Sequence, residues 1–109
     1  MSYIIINTTV LTEDTAQNII NELFRKKLAA CVQTDDVAST YRWQGKLQRS
    51  VEIKLSIKTK FEKFDDVARV IQDLHPYDVP EIIALPVLKG TNEYLEFIDD
   101  ALGEENDVY

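Results

Sequence analysis

Hydrophobic positions recur along the chain with two different periods. The clearest period of two lies in the stretch from Val51 to Lys58, where apolar and polar side chains alternate. Such alternation is typical of a strand with one packed face and one face toward water or polar partners. Three further extended segments are predicted: Tyr3–Thr9, Cys31–Trp43 with an interruption at Asp35-Asp36, and Glu81–Val87.

Apolar residues at helical spacing predict three helices between these strands. The first follows Thr12, a residue type that favours helix N-caps. The second is expected to start at the capping box Thr59-x-x-Glu62 and to end near His75, because Pro76 cannot continue it. The third follows a cap at Thr91.

The predicted order is therefore β-α-β-β-α-β followed by one more helix. This order is that of the split βαβ, or ferredoxin-like, arrangement in the α+β class. With 109 residues, the chain fits a single domain over positions 1–109. The acidic stretch Glu104–Tyr109 is predicted to be a frayed tail.

The two central strands are too long for the domain to which they belong. Strands of about 12 residues span about 40 Å, whereas a domain of this length measures about 35 Å across. We therefore expect the Val37–Ile57 hairpin to project beyond its own core. Its tip carries Tyr41, Trp43 and Leu47, and exposed apolar side chains on a free edge favour coverage by another chain. The hairpin thus predicts self-association.

Composition narrows the classes of function. The chain has 19 acidic and 12 basic residues and a net charge of −7, which opposes nucleic-acid binding. No run reaches the roughly 18 apolar residues of a membrane span, and the N-terminus lacks the basic start of a signal peptide. Cys31 is the single cysteine, so no internal disulfide can form. We expect a cytoplasmic protein without a membrane span.

Two residues of the sequence could bind a metal. His75 could be a helix cap that bonds the last carbonyls, or a ligand in a cleft. Cys31 could be a small core residue, or a thiolate that binds metal or takes part in redox chemistry. No CxxC, HxH or HExxH spacing occurs. A zinc or copper site would therefore have to be shared between subunits, where symmetry multiplies one histidine into a cluster.

The remaining candidates are aromatic or charged residues on strands. Tyr41 and Trp43 share one face of a strand, where they could serve packing or form a ligand platform. Lys58 could be solvated, contact an anion, or pair with Glu81, which needs a partner if it is buried. No nucleophile, base and orienting group occur together, so a conventional enzyme is not expected.

Four segments in order resemble the CutA, or divalent-cation-tolerance, family over nearly the whole chain. They are Lys27–Val32, Tyr41–Lys46, Ile57–Thr59 and His75–Val87, followed by Tyr94-Leu95. The resemblance implies a ferredoxin-like fold, a homotrimer with strands added across subunits, and an architecture similar to PII-type signalling proteins. It also implies a role in tolerance to divalent metals, notably copper.

The resemblance also implies a site. Some members have a proposed copper site made of a cysteine in the first strand and a His-His pair, and here those positions are Thr8, Leu74 and His75. Two of the three ligands are thus replaced by residues that cannot act as thiolate or imidazole. A polar and aromatic cleft between subunits is implied by the match of six residues: Tyr41, Trp43, Lys58, His75, Tyr77 and Glu81.

Two functions of different classes follow from these features. In the first, the trimer responds to metal and binds Cu²⁺ or another divalent cation weakly, through His75 and neighbouring carboxylates. In the second, the trimer is a PII-like sensor or scaffold whose clefts bind a small molecule or anchor a partner protein. A third interpretation, an enzyme with His75 as acid or base, lacks a paired nucleophile.

Overall fold

A computed structural model describes residues 2–103 of the chain. The elements in chain order are β1 (Tyr3–Val10), α1 (Glu13–Arg25), β2 (Cys31–Trp43), β3 (Lys46–Lys60), α2 (Phe64–Leu74), β4 (Ile83–Pro86) and α3 (Asn92–Ala101). The predicted α+β order is confirmed, and the tail at 104–109 lies outside the described residues. Within the described range, none of the helices has the length and apolar character that a membrane crossing requires.

The four strands form one antiparallel sheet in the order β2-β3-β1-β4. Helices α1 and α2 pack on one face of this sheet, because alternate strand residues on that face are apolar. The opposite face is called the open face below. The fully buried side chains that fill the space between sheet and helices include Ile6, Val10, Ile19, Leu23, Leu55, Ile57, Val67 and Ile71.

The β2–β3 hairpin extends beyond α1 and α2. Its turn, Gln44-Gly45, has φ values of 51° and 79°, which suit a two-residue hairpin turn. The helices no longer cover residues 38–51, which we call the arm, so Leu47 and Val51 are 68% and 72% exposed. The described chain measures 50 × 27 × 21 Å. The predicted projection of the hairpin is therefore confirmed.

The predicted interruption of β2 at Asp35-Asp36 is wrong. The strand is continuous, and its ladder pairs Asp35 with Lys54 and Asp36 with Ile53. Because β2 lies at the edge of the sheet, both carboxylates reach solvent while the main chain keeps its hydrogen bonds. Aspartate lowers strand propensity without preventing an exposed edge strand.

The fourth strand is shorter and more exposed than the pattern predicts. Its ladder runs over Ile83–Pro86, opposite residues 4–7 of β1, and Val87 adds one bond from its N–H to the Tyr3 carbonyl at 3.0 Å. The predicted start at Glu81 is therefore wrong, and the end near Val87 agrees. All four residues are exposed in the single chain, and β4 forms the other edge of the sheet. Pro86 at its end agrees with an edge position.

The predicted capping box at the start of α2 is also wrong. Thr59 is the last but one residue of β3, and its buried Oγ1 has no hydrogen-bond partner within the described chain. A 3₁₀ turn at Phe61–Lys63 separates the strand from α2, which begins at Phe64 without a side-chain cap. The extra residues belong to β3 because β1 supplies a partner as far as Tyr3, opposite Lys60.

Helix α3 covers one end of the open face. Its Ile98 and Leu102 pack with Ala30 near the start of β1. Asp99 accepts hydrogen bonds of 3.1 Å from the Tyr3 hydroxyl and lies 2.9 Å from the Lys60 ammonium group. The pKa of Asp99 is lowered, chiefly by the hydrogen bond from Lys60. This ionic contact fastens α3 to the sheet.

We expect the Asp99 contact to weaken in acid. A carboxyl with a lowered pKa stabilises the fold above its ordinary value of 3.8, and this contribution is lost as the pH falls through the lowered pKa. Asp99→Asn should therefore cost about 1 kcal/mol at neutral pH, and the difference from wild type should vanish below the lowered pKa. Thermal unfolding at a series of pH values measures the loss of stability at neutral pH and its disappearance in acid.

Asp100→Asn, an exposed change on the same helix, is the matched control and should behave like wild type at every pH. A constant deficit of Asp99→Asn across the whole pH range would contradict the ionic nature of the contact.

Candidate functional site

The uncovered end of the open face forms a cleft beside the arm. Its volume is about 730 Å³, within the usual range of small-molecule sites of about 300–1,000 Å³. Its walls come from β1, β2, β3 and the loop between α2 and β4. The residues that line it are Thr9, Ser39, Thr40, Tyr41, Trp43, Glu52, Tyr77, Asp78, Val79 and Glu81.

The hairpin register brings the strand residues of the cleft together. Tyr41 lies opposite Gln48, and Glu52 lies opposite Val37, so the side chains of Tyr41 and Glu52 share the open face. Trp43 is on the same face one step nearer the tip. The Tyr41 hydroxyl lies 3.1 Å from the hydroxyl of Ser50 across the ladder, which fixes the orientation of the ring.

His75 holds the α2–β4 loop against β1. It is 7% exposed. Its Nε2 donates to the carbonyl oxygen of Thr9 at 2.8 Å, and its Nδ1 accepts from the main-chain N–H of Tyr77 at 3.1 Å. A carbonyl oxygen can only accept, so the ring carries its proton on Nε2. The interpretation of His75 as a cap of the α2 carbonyls is therefore wrong, because its partner is a distant strand.

The loop places Tyr77 and two carboxylates on the far wall of the cleft. The ring of Tyr77 packs on that of His75, with centroids 4.8 Å apart and a tilt of 49°. Burial raises the pKa of the Tyr77 hydroxyl, and the charge of Glu52 raises it further. The hydroxyl is thus kept as a hydrogen-bond donor, and Glu52 and Tyr77 face each other across the cleft.

The cleft is acidic. Glu52, Asp78 and Glu81 line it, and the described lining residues include no Lys, Arg or His. Glu52 is only 6% exposed, yet its carboxylate makes no hydrogen bond or ion pair with any residue in the range 2–103. Its oxygens are not among the fully buried polar atoms that lack a partner, so they reach the space of the cleft, where no cationic side chain accompanies them in the single chain.

Four of the six predicted cleft residues meet in this cleft: Tyr41, Trp43, Tyr77 and Glu81. His75 lies behind the wall, where it supports Tyr77. Lys58 lies outside the cleft. It is four residues along β3 from Lys54, the partner of Thr9, which corresponds to about 13 Å along the strand. Its ammonium group donates to the Tyr94 hydroxyl at 3.1 Å. In the single chain, Lys58 therefore contacts α3 and not Glu81.

The residues expected to bind metal do not converge within one chain. Cys31 is half-buried and lies opposite Lys58. It is therefore far along the sheet from Thr9, the residue that His75 contacts. Thr8 is fully buried on the helix face, and Leu74 is exposed. Within the described residues, no three His, Cys, Asp or Glu side chains lie close enough together to hold a metal ion. A copper centre therefore does not fit the single chain.

Sequence reasoning missed the most informative residue, Glu52, together with Asp78. The signal for Glu52 was present in the turn at Gln44-Gly45, because a two-residue turn fixes which residues face each other. Counting back from that turn places Glu52 opposite Val37 and on the face of Tyr41. Asp78 lies in an irregular loop, for which the sequence offers no register.

Comparison with known proteins gives a consistent result at the level of sequence. The family described as CutA1 divalent ion tolerance protein matches residues 4–101. The divalent-cation tolerance protein CutA of Thermus thermophilus is 40% identical over 96 residues, which are 87% of this chain and 93% of that protein. A chloroplastic CutA protein of Arabidopsis thaliana is 35% identical over 90% of this chain, which spans 54% of its length.

A solved structure supports the sequence comparison. The structure described as the periplasmic divalent cation tolerance protein CutA from Archaeoglobus fulgidus superimposes with a TM-score of 0.89 at 34% identity. The match covers 92% of this chain and 98% of that one. Since relatives are described as periplasmic or chloroplastic, the cytoplasmic location stays a prediction.

Proposed function

Since the chain belongs to the CutA1 divalent ion tolerance family, we propose that it acts in divalent-ion tolerance as a homotrimer that binds a small molecule in the cleft. On this proposal the protein is a PII-like sensor or carrier without catalytic activity. The observation that carries the proposal is the cleft itself, which joins three aromatic rings and a buried, unpaired carboxylate.

The free edges of the sheet support the assembly. Strand β2 exposes an edge of 13 residues, and the short β4 exposes the other edge. Pairing of β2 in one copy with β4 in the next is a head-to-tail contact, which repeats until a ring closes. It would also cover apolar side chains that are exposed in the single chain. Light scattering tests the assembly and should give about three times the chain mass of 12.5 kDa.

The position of His75 supports a binding role and not a catalytic one. Both of its ring nitrogens are engaged with main-chain groups, so neither is free to transfer a proton or to bind a metal while the loop keeps its place. The cleft wall is instead made of rings and carboxylates, which recognise a ligand by shape and charge.

A second candidate function is weak binding of Cu²⁺ or another divalent cation through His75 and neighbouring carboxylates. The observation that favours it is the family description, which names divalent ion tolerance. Within the trimer, His75 would have to give up the bond to Thr9 or to Tyr77. We expect calorimetric titration with Cu²⁺ to give the same result for the wild type and for His75→Gln, without a saturable component that depends on His75. Glutamine keeps a donor for the Thr9 carbonyl but is a poor copper ligand.

Cys31→Ser is the companion variant in the same titration, since it removes the only thiol. Saturable Cu²⁺ binding that either variant abolishes, while the trimer mass is retained, would favour the metal function over the small-molecule function.

A further inference from the structure

We propose that the cleft binds a small organic cation that carries a substituted ammonium group. The inference rests on the proposed function, because it names the chemical class of the ligand for the same cleft. Three features support it: a carboxylate without a partner in the single chain, three aromatic residues that line the same cleft, and the absence of basic residues from the described lining.

Glu52 supplies the charge. Its side chain is more than nine-tenths buried and lines the cleft. Lys54 is the next residue on the same face of β3, but it does not line the cleft and forms no ion pair with Glu52 in the described part of the chain. A ligand with a positive charge would provide the missing partner, and a low-dielectric wall strengthens that attraction.

The rings supply the selectivity. Tyr41 and Trp43 stand on the wall formed by β2, and Tyr77 stands on the wall formed by the α2–β4 loop. Substituted ammonium groups bind the faces of such rings. Tyr41 is held by Ser50, and Tyr77 by His75, so two of the three rings are positioned before a ligand arrives. A preformed site of this kind loses little entropy on binding.

Other classes of ligand fit the cleft less well. An anion would be repelled by Glu52, Asp78 and Glu81. A bare metal ion needs several converging donor atoms, and within residues 2–103 no suitable group of His, Cys, Asp and Glu exists. A neutral apolar ligand would bury Glu52 further without giving it a partner. The organic cation satisfies both the rings and the carboxylate.

The test uses choline as the probe and its uncharged carbon isostere, in which a tert-butyl group replaces the trimethylammonium group. Trp43 is the one tryptophan of the sequence and lines the cleft, so its fluorescence reports occupancy directly. We expect a saturable change with choline and none with the isostere. Glu52→Gln should weaken choline binding about tenfold or more.

Glu96→Gln, an exposed change of the same charge on α3, is the matched control and should bind choline like wild type. Equal binding of the isostere, equal binding by Glu52→Gln, or no response to choline would each overturn the inference. Light scattering on the same samples distinguishes failure of the proposed ligand class from failure of the proposed assembly. A trimer without choline binding overturns only the ligand class, whereas a monomer overturns the proposed assembly.

A second measurement guards against a variant that merely misfolds. Replacing Glu52 by glutamine should keep or raise the melting temperature, because the change preserves the shape of the side chain and no hydrogen bond or ion pair within the described residues is lost. Loss of choline binding together with unchanged or higher stability supports the inference. A lower melting temperature of Glu52→Gln would show that the carboxylate has a structural partner, and would overturn it.

Discussion

Replacing Leu47 and Val51 together by aspartate is expected to reduce the mass in solution from that of the proposed trimer to that of one chain. Both side chains lie on the helix-side face of the arm, beyond the reach of α1 and α2, and are about 70% exposed in the single chain. Burial of two such residues against a neighbouring copy contributes roughly 3–5 kcal/mol per contact. Two carboxylates there would remove that gain and add a desolvation cost.

The same change should leave the single chain folded, since neither residue belongs to its core. Light scattering measures the mass, and circular dichroism checks the fold. Leu11→Asp together with Phe61→Asp is the matched control, because these residues are also exposed and apolar but lie outside the arm. If the arm variant keeps the trimer mass, or if the control dissociates equally, the arm is not the main contact.

His75→Leu should lower the free energy of unfolding by about 2–4 kcal/mol. Leucine fills a similar space but leaves the Thr9 carbonyl and the Tyr77 N–H without their buried partners, and each unsatisfied group costs about 1–3 kcal/mol. Since the loop that carries Tyr77 is released, binding in the cleft should fall as well. Chemical denaturation measures the stability, and Trp43 fluorescence measures the binding.

His75→Gln is the control for this loss, because its amide can donate to Thr9 and should recover part of the stability. Equal unfolding free energies for His75→Leu and wild type would mean that the histidine does not hold the loop.

The fold was predictable because local pattern and topology agree. Period-two alternation predicts β3, and helical spacing predicts α1 and α2. Together with the remaining extended segments they define the order of strands and helices. The errors at strand ends come from contacts between distant residues. β1 supplies a partner as far as Tyr3, so Thr59 belongs to β3. β4 begins only opposite Asn7 although β1 continues to Val10, and beyond that point the His75 ring bonds the Thr9 carbonyl.

The site was predictable only in part. Tyr41, Trp43, Tyr77 and Glu81 followed from the resemblance, but their meeting in one chain depends on the path of the loop after α2. That path is set by the bond from His75 to Thr9, 66 residues away in sequence. No pattern along the chain encodes the partner of a single histidine. The hairpin register could therefore place Glu52 on the open face, but neither its burial nor the position of Lys58 outside the cleft could be inferred.

The two-residue turn also limits how the arm can change in length. Its register puts Tyr41 and Trp43 on one face, and Leu47 and Val51 on the other. Adding one residue to each strand near the base of the arm would exchange these faces. Only insertions of two residues per strand, which lengthen the arm by about 6.6 Å, keep both sets of side chains on their faces. Relatives that keep both surfaces should therefore differ in arm length by multiples of four residues.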